Sequence, residues 1–186
     1  MKGIIFTEFL EHVESAFDAL TVEKIIVDSN LPSRGAYTSV GTYDHAEIVQ
    51  LVKTLSGISG TAPADLIRRF GFHLGTRFAV KFSEFFEAAP TLFDFLESVH
   101  DHIHVEVRKL YPDAELPSII VTSRHRTRAH VRYCSPRGME DLAVGLIEAS
   151  ARYYGDRVDV RCKQTSDEHG DFVEITVDRI VAAEVA

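Results

Sequence analysis

Apolar residues recur at intervals of three and four through most of the first two thirds of the chain. Ile5, Phe6, Phe9, Leu10, Val13 and Phe17 fit one face of a helix over residues 3–17. The same pattern predicts helices over 22–29, ended by Leu31-Pro32, over 45–55, and over 63–74, where Pro63 suits a first turn. Residues 33–43, rich in Ser, Gly and Thr, read as a loop. Phe78, Phe82, Phe85 and Phe86 cluster ahead of Pro90 and belong to a core by spacing. Thr91 and Asp94 have the spacing of a capping box, with Asp in place of Glu or Gln. The helix behind them carries Phe93, Leu96, Ile103, Val107 and Leu110 on one stripe until Pro112 stops it.

Beyond Pro117 the period shortens to two. Residues 119–123, 127–133, 158–164 and 172–177 read as strands. Between the second and third lies one helix, 139–154, with Met139, Leu142, Ala143, Leu146, Ile147 and Tyr153 on its apolar face. The order helices, hairpin, helix, hairpin predicts an α+β fold: a mainly helical N-terminal part, then a four-stranded antiparallel sheet with one intervening helix. We expect a single domain over 1–186, with a helical subdomain over about 1–60 and a second over about 61–180.

Composition narrows the function classes. With 20 Lys+Arg against 28 Asp+Glu, the net charge of −8 over 186 residues argues against nucleic acid as a main partner. The arginines between Arg124 and Arg137 alternate along a strand and fit a solvated sheet face. No stretch reaches the ~18 apolar residues of a membrane span, and Glu8 and Glu11 interrupt the start before a signal peptide could form. Cys134 and Cys162 make no disulfide framework. We expect a cytoplasmic protein without a membrane.

Chemistry concentrates at two places. In Tyr133-Cys134-Ser135-Pro136-Arg137, three polar groups stand at alternate positions. Ser135 suits an N-cap and Pro136 a first helical position, so a helix starting here would aim its free N–H groups at whatever Tyr133, Ser135 and Arg137 face. Arg137 adds a planar charged fork for carboxylate or phosphate. The whole describes an anion cradle, although Ser-Pro is also common as simple punctuation. The second place is His100, His102 and His104. At helical spacing His100 and His104 lie about 40° apart and His102 faces away. His104 borders the apolar stripe, where a histidine is commonly just a hydrogen-bonded core residue. As metal ligands, His100 and His104 could form a zinc pair, but Asp101 stands where a zinc hydrolase needs Glu. Alternatively His104 alone could bind heme iron.

The ordered set of segments resembles the heme nitric oxide/oxygen-binding domain, H-NOX, of bacteria and soluble guanylate cyclase. The resemblance runs from about residue 1 to 178 through Met1-Lys2-Gly3-Ile4-Ile5, the loop Gly35 to Tyr43, Phe93-Asp94-Phe95-Leu96-Glu97 and Ile103-His104-Val105-Glu106-Val107-Arg108. It continues through Pro112-Asp113-Ala114-Glu115-Leu116-Pro117, the Tyr-x-Ser-x-Arg motif of Tyr133, Ser135 and Arg137, and Gly145-Leu146-Ile147-Glu148. It implies heme b with His104 as proximal iron ligand, Tyr133, Ser135 and Arg137 on the propionates, and Pro117 pressing on the porphyrin. Ile5, Phe9, Phe78, Leu142 and Leu146 are implied as pocket lining.

Two departures refine the expectation. Oxygen-binding relatives carry a tyrosine on the helix after the Arg motif, where this chain has Leu142. Stand-alone relatives often hold a Cys/His zinc cluster near the C-terminus, of which Cys162 and His169 remain, beside Ser166 and Asp171. We therefore expect a non-enzymatic gas sensor that binds NO and CO and regulates a separate enzyme in trans, a histidine kinase or a diguanylate cyclase/phosphodiesterase. The alternatives are an oxygen or redox sensor, with Cys134 or Cys162 reporting oxidation, and a zinc-dependent hydrolase using His100 and His104.

Overall fold

A computed structural model describes residues 1–168 and 170–180. The helical part comprises α1 (Gly3–Ala16), α2 (Ala19–Ser29), α3 (His45–Ser59), α4 (Pro63–Lys81), α5 (Ser83–Glu87) and α6 (Leu92–Ser98). A π-helical turn (Val99–Ile103) joins α6 to α7 (His104–Leu110). The strands β1 (Ser118–Arg124) and β2 (Arg128–Cys134), the helix α8 (Glu140–Tyr153), and the strands β3 (Val158–Asp167) and β4 (Gly170–Arg179) complete the α+β fold. The strands form one antiparallel sheet in the order β1-β2-β4-β3.

Local chemistry sets the helix ends. Asp18 and Asp44 accept hydrogen bonds from the free N–H groups of Thr21 and Ala46, at 2.6 and 2.9 Å. The Asp18 cap starts α2 three residues before the apolar pattern alone would. Thr91 caps α6 by accepting from the Asp94 N–H, and its hydroxyl donates to the Asp94 carboxylate at 2.5 Å. The start of the chain is tied down by backbone pairing. Gly3 N–H donates to Gly41 and Tyr43 N–H to Met1, at 2.8 and 2.9 Å. A Cβ at Gly3 would meet the Thr38 carbonyl at 1.9 Å, so this close approach needs glycine.

Two apolar clusters result. One gathers Phe6, Phe9, Val13, Ile25, Ile48, Leu51, Phe70 and Leu74 from α1 to α4, with Met139. The other packs Phe86, Leu92, Phe93 and Leu96 and the α8 residues Ala143 and Ile147 on the inner sheet face of Ala129, Val131, Tyr133, Val173, Ile175 and Val177. That alternation is what a sheet with one solvated face requires. The solvated face carries Arg128, paired with Asp178 at 2.5 Å, and Arg132, paired with Asp167. Arg124, expected there too, is turned by a bulge in β1 to the side of Ala129 and pairs with Asp94 and Glu97 of α6 at 2.7 and 2.9 Å. The helices α4 and α8 cross at very close range. A Cβ on Gly145 would meet the Arg68 carbonyl at 2.1 Å, and one on Gly71 the Leu142 carbonyl at 2.4 Å.

Three further expectations need correction. The helix after the Tyr-x-Ser-x-Arg segment does not begin at Pro136. Gly138 takes φ +57°, a left-handed turn that no helix continues through, and α8 starts at Glu140. The stripe expected on one long helix is broken by the π turn, and Leu110 is 72% exposed. On α8, Tyr153 lies 43% exposed while Val144 and Ala151 are buried.

Candidate functional site

His104 is the first residue of α7, immediately after the π turn, and its backbone N–H donates back to Val99, five residues earlier. Such wide turns concentrate at functional sites. The His104 Nδ1 is buried with no hydrogen-bond partner among the described residues. Burial, with smaller contributions from His100 and the Arg108 charge, pushes the His104 pKa down to about 4, and the Pro117 backbone opposes this weakly. The ring is therefore neutral near pH 7, the form that ligates a metal. His100 stands one turn away with ring centroids 6.5 Å apart and its own Nδ1 buried without a partner. His102 departs from both and packs edge-on to Phe85 at 6.1 Å.

The polar end of the site is built by β2 and the turn after it. Tyr133 is the last inward-facing residue of β2, and burial raises the pKa of its hydroxyl. Ser135, Arg137 and the Met139 backbone all act on that hydroxyl in the opposite direction, so the three motif residues do converge. Ser135 does not cap a helix. Its hydroxyl accepts from the Arg137 N–H at 3.3 Å, closing a tight turn. The Arg137 guanidinium donates to the Glu115 carbonyl at 2.7 Å and pairs with the Glu115 carboxylate. Nothing in the sequence pattern assigned Glu115 a part. The available signal was its place in the segment that leads to Pro117.

Apolar lining lies between the two clusters. Ile5, Leu142 and Leu146 are half-buried against the first cluster, and Phe78 packs against both. Pro117 is half-buried just before β1. Phe9 sits deeper, 1% exposed, with its ring edge-on to Phe70 at 5.2 Å. Two tyrosines also pack against the first cluster. Tyr37 donates to Glu47 at 2.8 Å, and Tyr43 accepts from the Thr38 N–H at 2.8 Å.

These residues fit a heme. A neutral imidazole with an orphaned buried nitrogen, half-buried apolar side chains between the two clusters and a hydroxyl–guanidinium group after β2 are what a macrocycle with two carboxylates needs. They fit a zinc centre poorly: the described residues contain no group of three or more His, Cys, Asp or Glu placed to hold a metal ion. His169, considered for a C-terminal zinc cluster, lies outside the described residues. Cys134 and Cys162 are both free thiols, and burial pushes Cys162 up to about 11, against reactivity at neutral pH. No described helix is long and apolar enough to cross a membrane.

Comparison with known proteins agrees with this fit. A family model described as Haem-NO-binding matches residues 2–162. The H-NOX protein from K. algicida, in its Fe(II) unliganded form, is 33% identical over 100% of both chains, with a TM-score of 0.90. An H-NOX protein from S. oneidensis in the Fe(II)NO ligation state superposes with a TM-score of 0.86 at 22% identity, covering 97% of this chain and 100% of that one. A mutant of T. tengcongensis H-NOX gives 0.84 at 18%, covering 98% and 100%. At those lower identities the likeness speaks for the fold. The chain has no match among curated protein sequences. Fold, site and family model converge: the chain belongs to the Haem-NO-binding (H-NOX) family of heme-binding gas-sensor domains.

Proposed function

We propose that this domain senses nitric oxide, with CO as a second ligand, at a ferrous heme b, and that it regulates a separate signalling enzyme. The observation that carries the reading is the apolar character of the side chains Leu142, Ile5, Phe78 and Leu146, all packed against the first cluster. A bound heme would supply a ferrous iron that takes a diatomic gas. Dioxygen takes up partial negative charge on binding and depends on a hydrogen-bond donor more than NO or CO does. An apolar lining that includes Leu142 therefore favours the latter two.

The protein's own residues divide the remaining work. His104, held neutral by burial, would supply an imidazole nitrogen to the iron. Tyr133, Ser135 and Arg137 would hold the propionates, and Pro117, in the segment that precedes β1, would bear on the porphyrin. His104 joins α6 through a π turn, so α7 could shift, and the segment with Glu115 and Pro117 lies between its far end at Leu110 and β1. A histidine kinase or a diguanylate cyclase/phosphodiesterase that binds the two arrangements with different affinity would read the change.

Absorption spectra of the reduced protein test this directly. We expect a heme Soret band that shifts on adding NO and shows no stable oxygen complex in air. Leu142→Tyr should raise oxygen affinity, one donor hydrogen bond contributing on the order of 1 kcal/mol. A persistent oxy spectrum in the unmodified protein would replace the NO reading with an oxygen-sensing one.

A further inference from the structure

Arg137 has an anionic partner inside its own chain. Its guanidinium is 9% exposed and meets Glu115 twice, at the backbone carbonyl and at the carboxylate, while the Glu115 side chain is 79% exposed. We infer that Glu115 is a displaceable counter-ion of the propionate clamp, holding the Arg137 fork in position and competing with the heme propionate for it. The inference rests on the reading of Tyr133, Ser135 and Arg137 as that clamp.

Three observations support exchange rather than a fixed structural pair. The two contacts differ in kind: the carbonyl is fixed by the backbone, whereas the carboxylate is solvated and can swing away at small cost. Arg137 therefore keeps one anchor when its charged partner changes. The backbone around Glu115 is pinned independently. Asp113, two residues earlier, accepts from the Thr42 hydroxyl at 2.7 Å and pairs with Lys2 at 3.3 Å, and Lys2 also donates to Thr42 at 2.8 Å. A cleft of about 270 Å³ lined by Met1, Thr42, Asp44, His45 and Asp113 adjoins the pair and gives the carboxylate room to turn.

A carboxylate that pairs with both edges of the Arg137 fork would outcompete one exposed carboxylate. Glu115 is in this sense a positioning residue that acts on heme through Arg137.

The test is transfer of heme from the loaded full-length protein to excess apomyoglobin, followed by absorbance. Glu115→Gln removes the competing charge and keeps the shape, and heme loss should slow by roughly two- to five-fold, the scale of one exposed ion pair. Arg137→Ala should speed loss, and adding Glu115→Gln to Arg137→Ala should change nothing further. A merely structural Glu115 would give the opposite sign, because losing it would loosen the clamp. Unchanged or faster loss in Glu115→Gln, or an equal effect in the Arg137→Ala background, overturns the inference. A protein that takes up no heme at all would instead overturn the function proposed above, since no Soret band would form in any variant.

Discussion

The two sides of the site are held in contrasting ways. On one side α4 and α8 cross through Gly71, Gly75 and Gly145, so closely that added methyls would strike backbone carbonyls or the Ala149 methyl. On the other side α7 carries His104, has no fully buried residue, and exposes Val105 and Leu110. Buried apolar contact is what makes a segment resist local opening, and α7 has little of it. The wall bearing Phe78, Leu142 and Leu146 is built to stay, and the arm bearing His104 is built to move. A sensor needs both, because a ligand-dependent shift can be read only against a frame that does not follow it.

The sharpest way to break the contrast is to force the wall apart. Gly145→Val places branched carbon against the Arg68 carbonyl and the Phe72 amide, which a Cβ would already meet at 2.1 and 2.6 Å. Since neither is a flexible side chain, the helices must separate, at a cost of about 3 kcal/mol, the upper end for overpacking. Leu110→Ala on the arm, at a position 72% exposed, should stay within roughly 0.5 kcal/mol. Chemical denaturation of the two variants checks the difference. Equal losses would mean that the arm is as firmly held as the wall.

Much of this layout was legible because it depends on period. The apolar spacing of α1, α3 and α4 and the alternation of the four strands follow from burial on one face, which any sequence must show. Tyr133 lies near the end of β2, and Ser135 and Arg137 lie on the turn directly after it. The π turn was not legible. It changes which carbonyl accepts the His104 N–H, and no residue type marks that choice. Nor was the turn at Gly138, since Ser135-Pro136 reads equally well as a helix start. Glu115 was hidden for a different reason: its partner is 22 residues away, and an exposed glutamate carries no pattern. Periodicity reports faces, whereas long-range polar pairs depend on how the faces are brought together.

On the arm, His104→Gly separates stability from cofactor retention. Glycine at a helix position costs about 1 kcal/mol, and His104 is the first residue of a short helix, so the heme-stripped fold should lose no more than that. Ordinary heme retention should nevertheless disappear, and free imidazole, which replaces the missing ring without the tether, should restore it. His102→Ala should leave the reduced spectrum unchanged, since His102 packs on Phe85. The measurements are a melt of the stripped protein and a Soret titration with imidazole. A spectrum in His104→Gly identical to the parent would place the axial ligand elsewhere.

The smallest effect lies in the wall and is driven by pH. His12 on α1 stacks against His73 on α4 with ring centroids 4.8 Å apart, and the buried Glu8 beneath them pairs with Arg77 at 3.0 Å and faces His73 at 3.6 Å. Burial, then the neighbouring His73 and the Arg69 charge, push the His12 pKa down to about 4 from an ordinary value of 6.5. The unfolded chain therefore takes up a proton at a higher pH than the folded one. Stability from a neutral His12 is complete above about pH 6.5 and is lost as pH falls towards about 4. Partial exposure of the ring keeps the loss down to pH 6 under about 1 kcal/mol. His12→Gln keeps a polar planar group that does not titrate, so its melting temperature should fall less between pH 7 and pH 5 than that of the parent. Parallel pH profiles for the two proteins would show that the imidazole pair is already solvated, and that acid weakens the wall through its carboxylates alone.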